Sequence, residues 1–172
     1  MHERRSAVSA LLLALAILAL PISGAVAGLP APTGRTILSV TGQIEHANQN
    51  GAAVFDRAMI EALGMETIVT ETPWTEGPVT FEGVSGARLL DALGEHGSDV
   101  LATAINDYTV EIPATDFRER DLFIALRMNG RDLQVRDKGP IWIVYPFSSH
   151  PDLNSAVYYN RSIWQLRRLE FK

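Results

Sequence analysis

The apolar run from Ser6 to Leu20 opens the 172-residue chain and decides which part of it has to fold. Arg4 and Arg5 give a positive start, Pro21 breaks the run, and Ala25-Val26-Ala27 supplies the small-x-small pattern of a processing site. The run is shorter than the roughly twenty residues that a bilayer span needs. Residues 1–27 are therefore expected to be a cleaved signal peptide of bacterial type, with an uncleaved anchor as the competing reading. The working protein is then residues 28–172, periplasmic, with no stable membrane span after processing. Arg4-Arg5 also suggests a twin-arginine export signal, but Ser6-Ala7-Val8-Ser9 lacks the strong apolar residue and lysine of that motif, which favours an ordinary basic start.

Residues 28–172 have the size of one ordinary domain with a real core. The chain carries 15 basic against 20 acidic residues, for a formal charge of −5, which argues against binding nucleic acid, because a phosphate backbone needs a basic face. Its only lysines are Lys138 and Lys172. There is no cysteine, so thiolate catalysis, cysteine-based zinc sites and iron–sulfur clusters are excluded. The four histidines are scattered without ligand spacing.

Short β-branched runs alternate with Gly, Pro and Asn turn signals along the rest of the chain. Strands are expected over residues 35–44, 66–72, 79–81, 100–105, 108–112, 122–128, 133–135 and 141–145, and strand character returns over 158–171. Asn106-Asp107 and Asn129-Gly130-Arg131 read as hairpin turns, and Ile141–Tyr145 as a strand buried on both faces. The spacing of Phe55, Met59 and Leu63 predicts a helix over 52–63, and Leu89, Leu90 and Leu93 predict another over 86–94. Pro113–Arg120 suggests a helical turn. The pattern describes a single α+β domain without repeats or a linker.

No Gly-rich phosphate loop, nucleophile elbow or paired-histidine helix is present. Aromatic and cationic residues instead gather at strand ends and turns: Trp74, Tyr108, Lys138, Arg161 and Trp164 among them. Rings that stack and cations that pair with oxyanions suit a flat anionic ligand. Taken one at a time, the same residues also fit core and solvated surface.

Their order along the chain adds information. A strand with Val40-Thr41-Gly42 precedes a strand leading to Trp74, then Phe81 to Leu90 (FEGVSGARLL) and Asn106-Asp107-Tyr108. Asp121 to Leu133 (DLFIALRMNGRDL), Lys138 to Pro146 (KGPIWIVYP) and Arg161 to Glu170 (RSIWQLRRLE) follow. This series resembles the molybdopterin-binding domain of the sulfite oxidase family, from about Val40 to Phe171.

The resemblance implies a single compact α+β domain of the sulfite oxidase type with a mixed sheet. It also implies a molybdenum-bearing pterin that oxidises or reduces small sulfur-containing or sulfoxide substrates. The family holds the metal with a cysteine, which would fall around Thr70, Glu71 and Thr72, and its Arg- and His-rich segment after that cysteine is also missing here. The candidate cofactor-binding set is Lys138, Tyr108, Arg161, Ser162 and Trp74, with Lys138-Gly139-Pro140 matching the family's turn before the buried strand and Arg161-Ser162 its basic-Ser pair. No catalytic residue and no metal ligand is assigned.

Two functions follow. One is an exported, non-catalytic module that binds a small anionic ligand or a periplasmic partner protein and needs no cofactor. The other is an oxidoreductase, or a subunit of one, that retains molybdopterin without a thiolate ligand. The missing cysteine favours the first.

Overall fold

A computed structural model describes residues 28–172; the apolar leader, and with it the signal-peptide reading, lies outside the described residues. Two sheets make up the domain. The first joins β1 (Thr36–Gly42), β2 (Ala53–Asp56), β5 (Asp99–Ala104), β6 (Thr109–Pro113) and β10 (Leu166–Phe171) in the order β2-β1-β10-β5-β6. β1 and β10 run parallel, with Ser39 opposite Arg168 and Gly42 opposite Phe171, and the other pairs are antiparallel. The sheet is therefore mixed.

The second sheet orders β3 (Glu66–Thr70), β4 (Val79–Ser85), β7 (Phe123–Met128) and β8 (Arg131–Asp132), and β9 (Trp142–Val144) also pairs with β7. Four short helices connect the strands: α1 (Arg57–Ala62), α2 (Gly86–Leu93), α3 (Asp116–Glu119) and α4 (Ala156–Arg161). None of the described helices is long and apolar enough to cross a membrane.

Strand periodicity explains how the second sheet is buried. Successive side chains point to opposite faces, so Ile141, Ile143 and Tyr145 enter the main core while Trp142 and Val144 enter a smaller cluster. β7 divides in the same way, with Ile124 and Leu126 in the main core and Phe123 and Ala125 in the smaller cluster. The expectation of a strand buried on both faces holds. The main core draws on both sheets, including Val40, Val100 and Leu169 from the first.

Gly42 ends β1 at φ +93°, where a Cβ would run into the Phe171 carbonyl. Only glycine allows both this dihedral and the close approach of the neighbouring strand.

Three expectations need correction. The strand expected over 133–135 is absent: the hairpin partner of β7 is the two-residue β8, Arg131–Asp132, and a 3-10 turn begins at Val135. Residues 53–56 are strand, and the helix starts only at Arg57. Val54 and Phe55 are buried in a pairing with β1, which outweighs the helical spacing of Phe55, Met59 and Leu63. Asp56 then caps the helix, its carboxylate accepting the Met59 N–H at 2.9 Å. At the other end, residues 158–165 are not strand: α4 and an irregular link come first, and the strand begins at Leu166. It then occupies the middle of the first sheet, between β1 and β5.

Candidate functional site

Beyond the smaller cluster lies a cavity of about 500 Å3 whose wall includes Trp74, Tyr108, Tyr159, Ser162 and Trp164. Each comes from a connection rather than from a strand interior. Trp74 follows Pro73 in the turn after β3, Tyr108 closes the β5–β6 hairpin, and Tyr159 lies on α4. Ser162 and Trp164 belong to the link between α4 and β10.

The buried strand β9 fixes that link. Trp142 bridges to Trp164, and its indole Nε1 donates to the Ser162 carbonyl at 3.2 Å. Trp74 then meets Trp142, Trp164 and Tyr159 edge to face, at centroid distances of 5.9, 5.5 and 6.1 Å. Such contacts are favoured by the ring quadrupoles, and they hold the wall open without filling it. Asn106 and Asn160 add amide groups to the lining.

Trp74, Tyr108 and Ser162, predicted from the sequence, are thus brought together. Lys138 does not line the cavity but stands next to it, with Nζ 5.4 Å from the Trp164 ring centroid and 5.6 Å from that of Trp142. It occupies a left-handed position, φ +71°, directly before the cis Gly139–Pro140 bond. Gly139 is required there because a Cβ would strike the Leu133 carbonyl.

Arg161 faces elsewhere. Its guanidinium pairs with Asp116 at 3.0 Å, and Tyr145 donates its hydroxyl to the same carboxylate oxygen at 2.8 Å. Burial and the Asp116 charge push the Tyr145 phenol well above its usual range, so it stays a donor. Arg161 also lies over the Tyr158 ring at 5.5 Å. It ties α4 to α3 and is not in the lining of the cavity. Arg127 is likewise engaged, with Asp132 at 2.9 Å and Glu61 at 3.1 Å.

Sequence reasoning counted Tyr159 and Trp164 among the gathered aromatics without carrying them into the candidate site, and it left out Asn106 and Asn160. The Tyr158-Tyr159 pair held a usable signal: adjacent positions on a helix point about 100° apart, so only one of the two rings could join the Tyr145–Arg161 network. The other, Tyr159, meets Trp74.

Residues 70–75, where the family resemblance places a metal-binding cysteine, form a hydroxyl-bonded turn. Buried Thr70 accepts the Ser148 N–H on Oγ1 at 3.0 Å, and Ser148 Oγ accepts the Glu71 N–H at 2.9 Å. Buried Thr72 bonds to the Thr75 hydroxyl at 3.0 Å and accepts the Trp74 N–H at 3.2 Å. Glu71 is exposed. A molybdenum centre of this type takes a soft thiolate, whereas both threonine hydroxyls are spent on the chain's own hydrogen bonds. Among the described residues no three His, Asp or Glu side chains are placed to hold a metal. The residues present do not fit the metal.

A mixed two-sheet α+β domain with an aromatic cavity beside the turn after β3 defines a molybdopterin-oxidoreductase-like fold. The chain belongs to the oxidoreductase molybdopterin-binding domain family, whose model matches residues 48–149. Among solved structures it is similar to the sulfane dehydrogenase SoxCD from Paracoccus pantotrophus, with a TM-score of 0.56 and 18% identity. That match covers 78% of this chain and only 37% of the other, so the chain spans well under half of that relative's length. No curated protein matches it in sequence.

Proposed function

We propose that this chain is an exported, non-catalytic member of the family, a periplasmic module that binds a small ligand in the aromatic cavity. The observation that carries this reading is the turn from Thr70 to Thr75. Where the family's chemistry needs a thiolate, the chain has two buried hydroxyls that hold its own backbone. A cavity lies beside that turn, and rings and amides line it. Export rests on residues 1–27, whose basic start, apolar run and Ala-Val-Ala site match a cleaved signal; the mature chain would begin at Gly28.

The test is elemental analysis, together with the intact mass, of protein purified from the periplasm of molybdenum-replete cells. The expected result is a folded protein starting at Gly28 with no stoichiometric molybdenum. Molybdenum near one atom per chain would overturn the non-catalytic reading in favour of an oxidoreductase that keeps its cofactor without a thiolate. A retained leader would overturn the cleaved-signal reading alone.

A further inference from the structure

We propose that the surface centred on Gln165 is a self-docking face, on which a second copy of this chain pairs about a two-fold axis, whether or not the cavity holds a ligand.

Six large apolar side chains are exposed among the described residues, and four of them, Ile105, Tyr108, Val135 and Trp164, gather at this surface. They sit on three connections that Gln165 ties together. Its N–H donates to the Lys138 carbonyl at 2.9 Å, its carbonyl accepts the Ile105 N–H at 2.9 Å, and its side-chain amide donates to the Val135 carbonyl at 2.7 Å. An exposed apolar patch with a polar rim marks a protein-docking site, and tyrosine and tryptophan are among the residues that such sites favour.

The backbone is held tightly at the same place. Asp107, Lys138 and Gln165 keep left-handed φ angles of +66°, +71° and +54°. This conformation is uncommon without glycine and collects at functional surfaces.

Charge selects the occupant. Gln165 stands between the turn at residues 135–138 and the β5–β6 hairpin, bonded to both. In the turn, Arg136 is offset by its neighbour Asp137 at 3.4 Å. Lys138 rests on the Trp142 and Trp164 rings, and among the described residues no carboxylate lies within salt-bridge distance of its ammonium. The hairpin carries Asp107, whose side chain is 78% exposed although it pairs with Arg167. A two-fold axis along Gln165 lays the turn of each copy over the hairpin of the other. Val135 then meets Ile105, and Lys138 faces Asp107, twice over. A patch with a free cation on one side and an exposed carboxylate on the other complements itself, whereas a uniformly charged partner or membrane would be opposed on one side.

Sedimentation velocity of the protein purified from the periplasm tests the pairing. The expected result is a monomer–dimer equilibrium with a Kd on the order of 10 μM, as a small patch gives. V135D, at an exposed position, should raise that Kd at least about tenfold with little change in unfolding temperature. K138D should weaken the dimer in the same way, and the charge swap K138D/D107K should restore it, because the two residues meet across the axis. A monomer at concentrations well above the expected Kd would overturn the proposal. So would a dimer that V135D leaves intact, or a loss in K138D that the swap does not rescue.

Discussion

The two faces of the second sheet come from the same strands and are built differently. Toward the first sheet, Val84, Ile124, Leu126 and Ile143 pack into the main core, which mixes aliphatic side chains with rings such as Phe55, Phe117 and Phe171 and draws on both sheets. On the other face Phe81 and Trp142 meet edge to face at 5.3 Å, and Trp74 continues the series toward Trp164. Trp142 is fully buried, whereas Trp164 is 36% exposed. Side chains enclosed between the two sheets interdigitate to native density and leave no room. Large rings on connections pack edge to face and leave a cavity. The first face specifies the fold, and the second is where a ligand can enter.

The largest test of that division removes the strand on which the main core depends. Deleting Val157–Lys172 takes out β10 from between β1 and β5, and the truncated chain should show no cooperative unfolding by circular dichroism. A folded truncation would show that the first sheet closes without its centre.

Point substitutions sharpen the contrast. Leu169→Ala, fully buried in the main core, should cost about 2–5 kcal/mol in urea denaturation. Trp164→Ala should cost less than Leu169→Ala, because Trp164 is 36% exposed, yet abolish ligand binding. Equal losses of stability would mean that both faces are structural.

Between these lies the turn after β3. Thr70→Val leaves the Ser148 N–H without its acceptor and should cost about 1–3 kcal/mol, while Thr70→Ser should cost much less, measured by the same denaturation.

The smallest effect concerns acid. The Asp56 carboxylate accepts N–H groups of Met59, Gly34 and Thr33, and these hold it below its ordinary value of 3.8. The stability it contributes is present above that ordinary value and is lost as pH falls through the lowered one. D56N should flatten the fall in unfolding temperature between about pH 5 and pH 2.

Much of the fold was legible because strands and turns announce themselves locally. Asn106-Asp107 and Asn129-Gly130 both carry positive φ at the hairpin position, and Ile141–Tyr145 alternates between two cores. Segments 52–56 and 158–165 were misread because partners distant in sequence decide their structure, whereas 133–135 was misread because the hairpin strand stops at Asp132 and a 3-10 turn follows. Residue types and motif order brought Trp74, Tyr108 and Ser162 to the site. The direction of Arg161 was illegible, because its partner Asp116 lies 45 residues away and becomes a neighbour only when α3 and α4 come together.

The central claim is that the hydroxyl-bonded turn replaces a metal centre. A bound cofactor stabilises the folded state by mass action, so thermal unfolding of protein from molybdenum-replete and molybdenum-starved cells reads it directly. The account expects superimposable curves. A reproducibly higher unfolding temperature for the protein from replete cells, lost on starvation, would contradict it.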